Sequence, residues 1–153
     1  MVEVAEDWTM SEWNHKDIWR FTDNKTFTVE VSRHQVKVHE GGCYNSDLGH
    51  RWCVYAYIYP THPHFEKFDE TDQMWQSAAC AMPFHCGPSY LHRHMKMKDG
   101  KPVPVSIQVG ADYNHDGDWT HTRNATMEDA YEVFGDADDL VRWLQGAQQE
   151  GQP

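Results

Sequence analysis

The chain contains no apolar run long enough to cross a bilayer: the longest, CVYAYIYP (Cys53–Pro60), falls far short of the roughly 20 residues a spanning helix needs. It also shows no basic, apolar leader, since it opens on the acidic stretch MVEVAEDWTMSEW, and a cytoplasmic location is therefore expected. Cysteine is sparse. Cys43, Cys53, Cys80 and Cys86 include no C-x-x-C pair, which argues against a structural zinc finger, and without a leader reduced thiols are the expectation. Cations are scarce as well, 13 Lys and Arg against 24 Asp and Glu for a net charge of −11. Between Asp112 and the C-terminus ten carboxylates face only Arg123 and Arg142, a net −8, which leaves −3 for residues 1–111. A phosphate backbone is repelled by such a field, so direct nucleic-acid binding is not expected, whereas a basic protein surface is attracted.

What the chain does have is length and aromatic weight. With 153 residues, including seven Trp, seven Tyr and six Phe, it can bury a core of its own as a single domain over 1–153, with residues 1–20 as a loosely packed lead segment. That lead is ambiguous between a short helix opened by Thr9-x-x-Glu12 and extended chain. TFTVEV (Thr26–Val31) alternates strictly, placing Phe27, Val29 and Val31 on one face of a half-buried strand, and HQVKVHEGG continues or returns it. RWCVYAYIYP is apolar on both faces, with Trp52, Val54, Ala56 and Ile58 opposite Cys53, Tyr55, Tyr57 and Tyr59, the pattern of a central strand.

From Thr71 the period becomes helical, with Met74, Trp75, Ala78, Ala79 and Met82 on one side and Pro83 as the stop. YLHRHMKM and PVPVSIQVGADY read as two strands joined at Asp99-Gly100. Val103, Val105, Ile107, Val109, Ala111 and Tyr113 are the expected buried face of the second, and Pro102 and Pro104 confine its start to an edge. The C-terminal segment reads as a helix capped at Thr126, with an apolar stripe of Met127, Ala130, Phe134, Ala137, Val141 and Leu144 and a break at Gly135. The class that follows is α+β: an antiparallel sheet of about four to six strands, with a short middle helix and a C-terminal helical segment packed on one side.

Three motifs invite a chemical reading. DYNHDGDWT begins like a calcium loop at Asp112, Asn114 and Asp116, but position 12 of that loop is Arg123, where the bidentate carboxylate belongs; a hairpin turn at Asp116-Gly117 is the better reading. Eleven histidines include His62-x-His64 and His92-x-His94, pairs able to present two imidazoles on one strand face. Of these, His92 and His94 with Asp112 and His115 are weak metal candidates, and no cofactor is expected. HCGPSYLHR approaches a phosphatase loop, but six residues rather than five separate Cys86 from Arg93, and strand rather than helix follows.

RWCVYAYIYPTHPHF, HCGPSYLHRH, QVGADYNHD and ATMEDAYEVFGDADDL together resemble small uncharacterised proteins encoded by bacteriophages and prophages. The resemblance carries no known active site. It implies an accessory protein in the host cytoplasm that binds and blocks a host protein, including nucleic-acid-handling or defence complexes (an anti-CRISPR-like role) whose channels are basic. On that reading the partner-binding residues are Glu128, Asp129, Glu132, Asp136, Asp138 and Asp139, with Trp119 and Trp143 as aromatic anchors. Two other functions compete with it. One is a metal-dependent hydrolase using clustered His and Asp; the other is a small-ligand binder with an aromatic pocket around Tyr55, Tyr57, Tyr59 and Trp75.

Overall fold

The computed structural model describes residues 2–4, 15–23, 25–36, 49–68, 77–113 and 130–150. Six strands pair antiparallel throughout: β1 (Val2–Val4), β2 (His15–Asp23), β3 (Phe27–Val36), β4 (Gly49–Ile58), β5 (Tyr90–Lys98) and β6 (Lys101–Asp112). Their order across the sheet is β1-β2-β3-β4-β6-β5. A 3-10 turn (Pro63–Lys67) and a single helical turn, α1 (Ser77–Cys80), follow β4, and a 20-residue helix, α2 (Tyr131–Glu150), closes the chain. This is the expected α+β arrangement, weighted toward sheet. No described helix is long and apolar enough to cross a membrane.

One face of the sheet makes the core. Phe27, Val29 and Val31 of β3, Trp52, Val54, Ala56 and Ile58 of β4, and Ile107 and Val109 of β6 are all buried, because alternate residues of neighbouring strands in register share a side. Against them α2 lays Ala130, Val133, Ala137, Leu140 and Leu144, packing on β3, β4 and the 3-10 turn. Trp19 of β2, Trp52 and Phe134 of α2 join the layers, with Trp19 stacked on Trp52 at 5.7 Å and Phe134 edge-on to both. At the same end Asp17 and Arg33 form an ion pair on the core face, and the Arg33 guanidinium lies 5.8 Å from the Trp52 ring centroid.

The β5–β6 hairpin turns at Asp99 and Gly100, both at positive φ (52° and 75°), as a two-residue turn of the I′ kind requires. Pairing with β4 involves only Ile107–Asp112, so among the described residues the first half of β6 pairs with β5 alone. Pro102 and Pro104 fall in that half, as their missing N–H groups demand.

Three expectations need correction. Val103 is only half-buried and Val105 is exposed, because a register shift beside His94 and Met95 breaks the alternation. Gly135 does not divide the C-terminal helix; it sits exposed in an unbroken α2, where tertiary packing of the inner stripe outweighs a single glycine. Of the lead segment, Val2–Val4 and the stretch from His15 are described, as strands of the sheet. The middle helix amounts, within the described residues, to Ser77–Cys80; its expected start at Thr71 lies outside them, as do the Asp116-Gly117 turn and the Thr126 cap.

Candidate functional site

Helix α2 has a wholly buried inner face, and that packing dictates which of its acids look outward. Glu132, Asp138 and Asp139 are exposed. Asp138 and Asp139 flank Arg142 one turn on, Asp138 in direct contact and Asp139 at 3.7 Å. Asp136 is half-buried and accepts a hydrogen bond from the Tyr113 hydroxyl, so it ties the end of β6 to the helix. Trp143 is half-buried too, with its ring edge-on to His64 at 4.8 Å, and packs against the core instead of standing free as an anchor. Trp119, Glu128 and Asp129 lie outside the described residues.

The two histidine pairs separate completely. His62 caps the 3-10 turn: its Nδ1 accepts from the His64 backbone N–H at 3.0 Å, which fixes the proton on Nε2, and Nε2–H donates to the Leu144 carbonyl of α2 at 2.9 Å. His64 Nε2–H donates to the Ala78 carbonyl of α1 at 2.7 Å. Both rings are buried, and burial pushes both imidazoles down from their ordinary value, toward the neutral form. This pair therefore shares no strand face. It is a clasp between the 3-10 turn and both helices.

His92 and His94 do share a strand face, on β5, with ring centroids 4.5 Å apart. His94 is stacked on Tyr57 and hydrogen-bonded at 2.8 Å to Gln108 Oε1. Asp112 lies on β6 opposite Cys53, four residues beyond the Gln108 that faces His92, so those candidates do not meet; His115 is outside the described residues. Among the described residues no three His, Cys, Asp or Glu side chains converge as a metal shell.

The face of the sheet opposite α2 is polar and aromatic. Thr28, Glu30, Ser32, Ser106 and Gln108 are buried there, among Tyr55, Tyr57, Tyr59, Tyr90, His92 and His94. Arg20 Nε donates to Glu30 at 3.2 Å, and the Thr28 and Tyr59 hydroxyls are 2.8 Å apart. Burial pushes the Tyr57 phenol up to about 12 and raises Tyr55 further, so both remain neutral donors at physiological pH.

At the end of this face where β3 stops and β4 begins lies a cleft of about 300 Å³, lined by His34, Arg51, Cys53, Tyr55, Ser89, Tyr90, Ala111 and Asp112. Its walls are fixed by specific contacts. Tyr55 lies across Gly110, where a Cβ would come within 2.2 Å of its Cδ1, so only glycine admits the ring. Tyr90 meets Tyr55 edge-on at 5.8 Å. The turn leading into β5 passes through Cys86 and Gly87, both at positive φ, and is pinned by the Ser89 N–H donating to the Gly110 carbonyl at 2.8 Å. Asp112 is set by its neighbour Tyr113, whose N–H bonds the Trp52 carbonyl at 2.9 Å and whose ring stacks on His85 at 4.4 Å. Burial raises the Cys53 thiol, against smaller opposing pulls led by Tyr55, which leaves it an inert thiol.

Of the aromatic pocket expected from sequence, only Tyr55 lines this cleft; Tyr57 and Tyr59 sit further along the face, and Trp75 is outside the described residues. His34, Arg51, Ser89 and Tyr90 carry no local motif, and only the strand pairing brings them together. No protein-family model matches the chain, no curated protein is similar to it in sequence, and no solved structure matches its fold.

Proposed function

We propose that this chain is a small acidic accessory protein, of the kind encoded by bacteriophages, that acts without catalysis by docking the outer face of its C-terminal helix on the basic surface of a host protein, such as a nucleic-acid-handling or defence complex. The observation that carries the reading is the outward presentation of Glu132, Asp138 and Asp139 by a helix whose other face is packed into the core. The helix holds five carboxylates against one arginine, and Arg142 partly offsets two of them. Such a field speeds encounter with a positive surface and discriminates against acidic partners.

The test is salt-dependent association with a purified host complex that has a basic nucleic-acid channel, comparing wild type with the triple variant Glu132→Lys, Asp138→Lys, Asp139→Lys. None of the three side chains enters the core, so the variant keeps its fold. Binding that weakens by at least about tenfold in the variant, and weakens steeply for wild type above roughly 0.15 M salt, supports the reading. Equal binding by both proteins at every salt concentration overturns it.

A further inference from the structure

We propose that the cleft between β3, β4, β6 and the turn before β5 is a binding site for a small planar acid: a ring bearing an N–H or amino donor together with one singly charged acidic group. Four features specify that class. Arg51 lines the cleft, its Nε is buried without a hydrogen-bond partner, and no hydrogen bond or ion pair engages the guanidinium among the described residues. A buried guanidinium nitrogen without a partner is costly, and a carboxylate or phosphodiester oxygen is the acceptor that matches its geometry. Asp112 stands in the same cleft, also free of such bonds among the described residues, and as an acceptor-only group it calls for a ligand N–H.

The two charges together set the ligand's own charge. A single anion neutralises Arg51, whereas a dianion places its second charge beside Asp112 and is repelled. The ring follows from the walls: Tyr55, held flat by Gly110, and Tyr90, perpendicular to it at 81°, form an aromatic corner that accepts a planar group by one face and one edge. A volume of about 300 Å³ lies at the small end of ligand sites and suits a single ring system with its acid, not an extended polymer. Cys53 also lines the cleft, as a buried free thiol. The charged lining lies on the sheet face away from α2, so this function is independent of docking through the helix.

Two sources supply this chemistry, nucleoside phosphodiesters and aromatic amino acids, and calorimetric titration separates them. One arm uses cyclic 3′,5′-nucleoside monophosphates, the other L-tryptophan, with inorganic phosphate as the ring-free control. Saturable binding in one arm is expected with a Kd below roughly 100 μM. Arg51→Gln then weakens it by at least about tenfold, and Tyr90→Ala, which alters a residue outside the core, by about fivefold. Asp112→Asn improves binding of the doubly charged nucleoside 5′-monophosphate relative to its cyclic counterpart. The proposal is overturned if neither arm binds at about 1 mM, if Arg51→Gln and Tyr90→Ala both leave affinity unchanged in folded protein, or if inorganic phosphate binds as tightly as the ring-bearing ligands.

Discussion

The chain carries a His-x-His triplet twice, and the two copies end in opposite environments. His62-Pro63-His64 is sealed at 1% and 2% exposure, each ring donating to a backbone carbonyl of a different helix. His92-Arg93-His94 lies on an edge strand, with His92 exposed and the two rings side by side on the polar face of the sheet. The same spacing gives two outcomes because the backbone differs. Pro63 at the first helical position folds the first triplet into a 3-10 turn, which rotates successive side chains apart, whereas a strand repeats every two residues and keeps them together. A histidine pair therefore becomes a clasp or a surface patch according to the element it falls on.

If that contrast is right, the largest effect belongs to the buried copy. His62→Ala removes two hydrogen bonds, leaves the His64 N–H without its acceptor, and opens a hole beside Phe27, whose ring meets His62 edge-on at 5.9 Å. A loss of about 3 kcal/mol in urea unfolding is expected. A loss below about 1 kcal/mol would show that α2 is held without the clasp.

Acid supplies the next test. Both imidazoles have folded-state values depressed below the roughly 6.5 of the unfolded chain, so between those values the unfolded state binds more protons than the folded one. The stability they confer is complete above about pH 6.5 and declines as the pH falls toward the depressed values. The melting temperature of wild type should drop from pH 7.5 to pH 5 more steeply than that of a His62→Leu, His64→Leu variant, measured by calorimetry at matched ionic strength. Parallel profiles would mean that neither ring is held neutral.

The sequence made the sheet readable where alternation was unbroken and lost it where a charged residue entered the apolar side. β3 and β4 were legible because Phe27-Val29-Val31 and Trp52-Val54-Ala56-Ile58 repeat without a fault. β2 was not, because Asp17 stands on the same face as Trp19, and its partner Arg33 is 16 residues away. The stripe of α2 is partly legible: Ala130, Ala137 and Leu144 are buried as expected, whereas Val133 and Leu140, equally central, fall outside the pattern read from sequence, and Met127 lies outside the described residues. The acids of α2 could be counted from sequence, but not sorted into outward Glu132, Asp138 and Asp139 and tethered Asp136, since that needs the Tyr113 hydroxyl. Nothing local marks the cleft, whose lining comes from residues 34 to 112 and exists only once the strands are in register.

The exposed histidine copy gives the smaller effects that complete the comparison. His94→Ala should cost about 1 kcal/mol, for the loss of its bond to Gln108 and its stack on Tyr57. His92→Ala should change stability by no more than about 0.5 kcal/mol, because the side chain is exposed and its ring contact with His94 is a surface one. Metal is the discriminating probe of this pair. Two imidazoles side by side can take a zinc ion weakly, but a tight site needs third and fourth ligands, and Asp112 is too far along β6 to provide one. Elemental analysis of purified protein should accordingly find well under one equivalent, and about 0.1 mM zinc should leave the melting temperature of wild type and of His92→Ala equally unmoved. A zinc-dependent rise seen only with His92 present would return the exposed triplet to the class of metal centres and, with it, the hydrolase that its spacing first suggested.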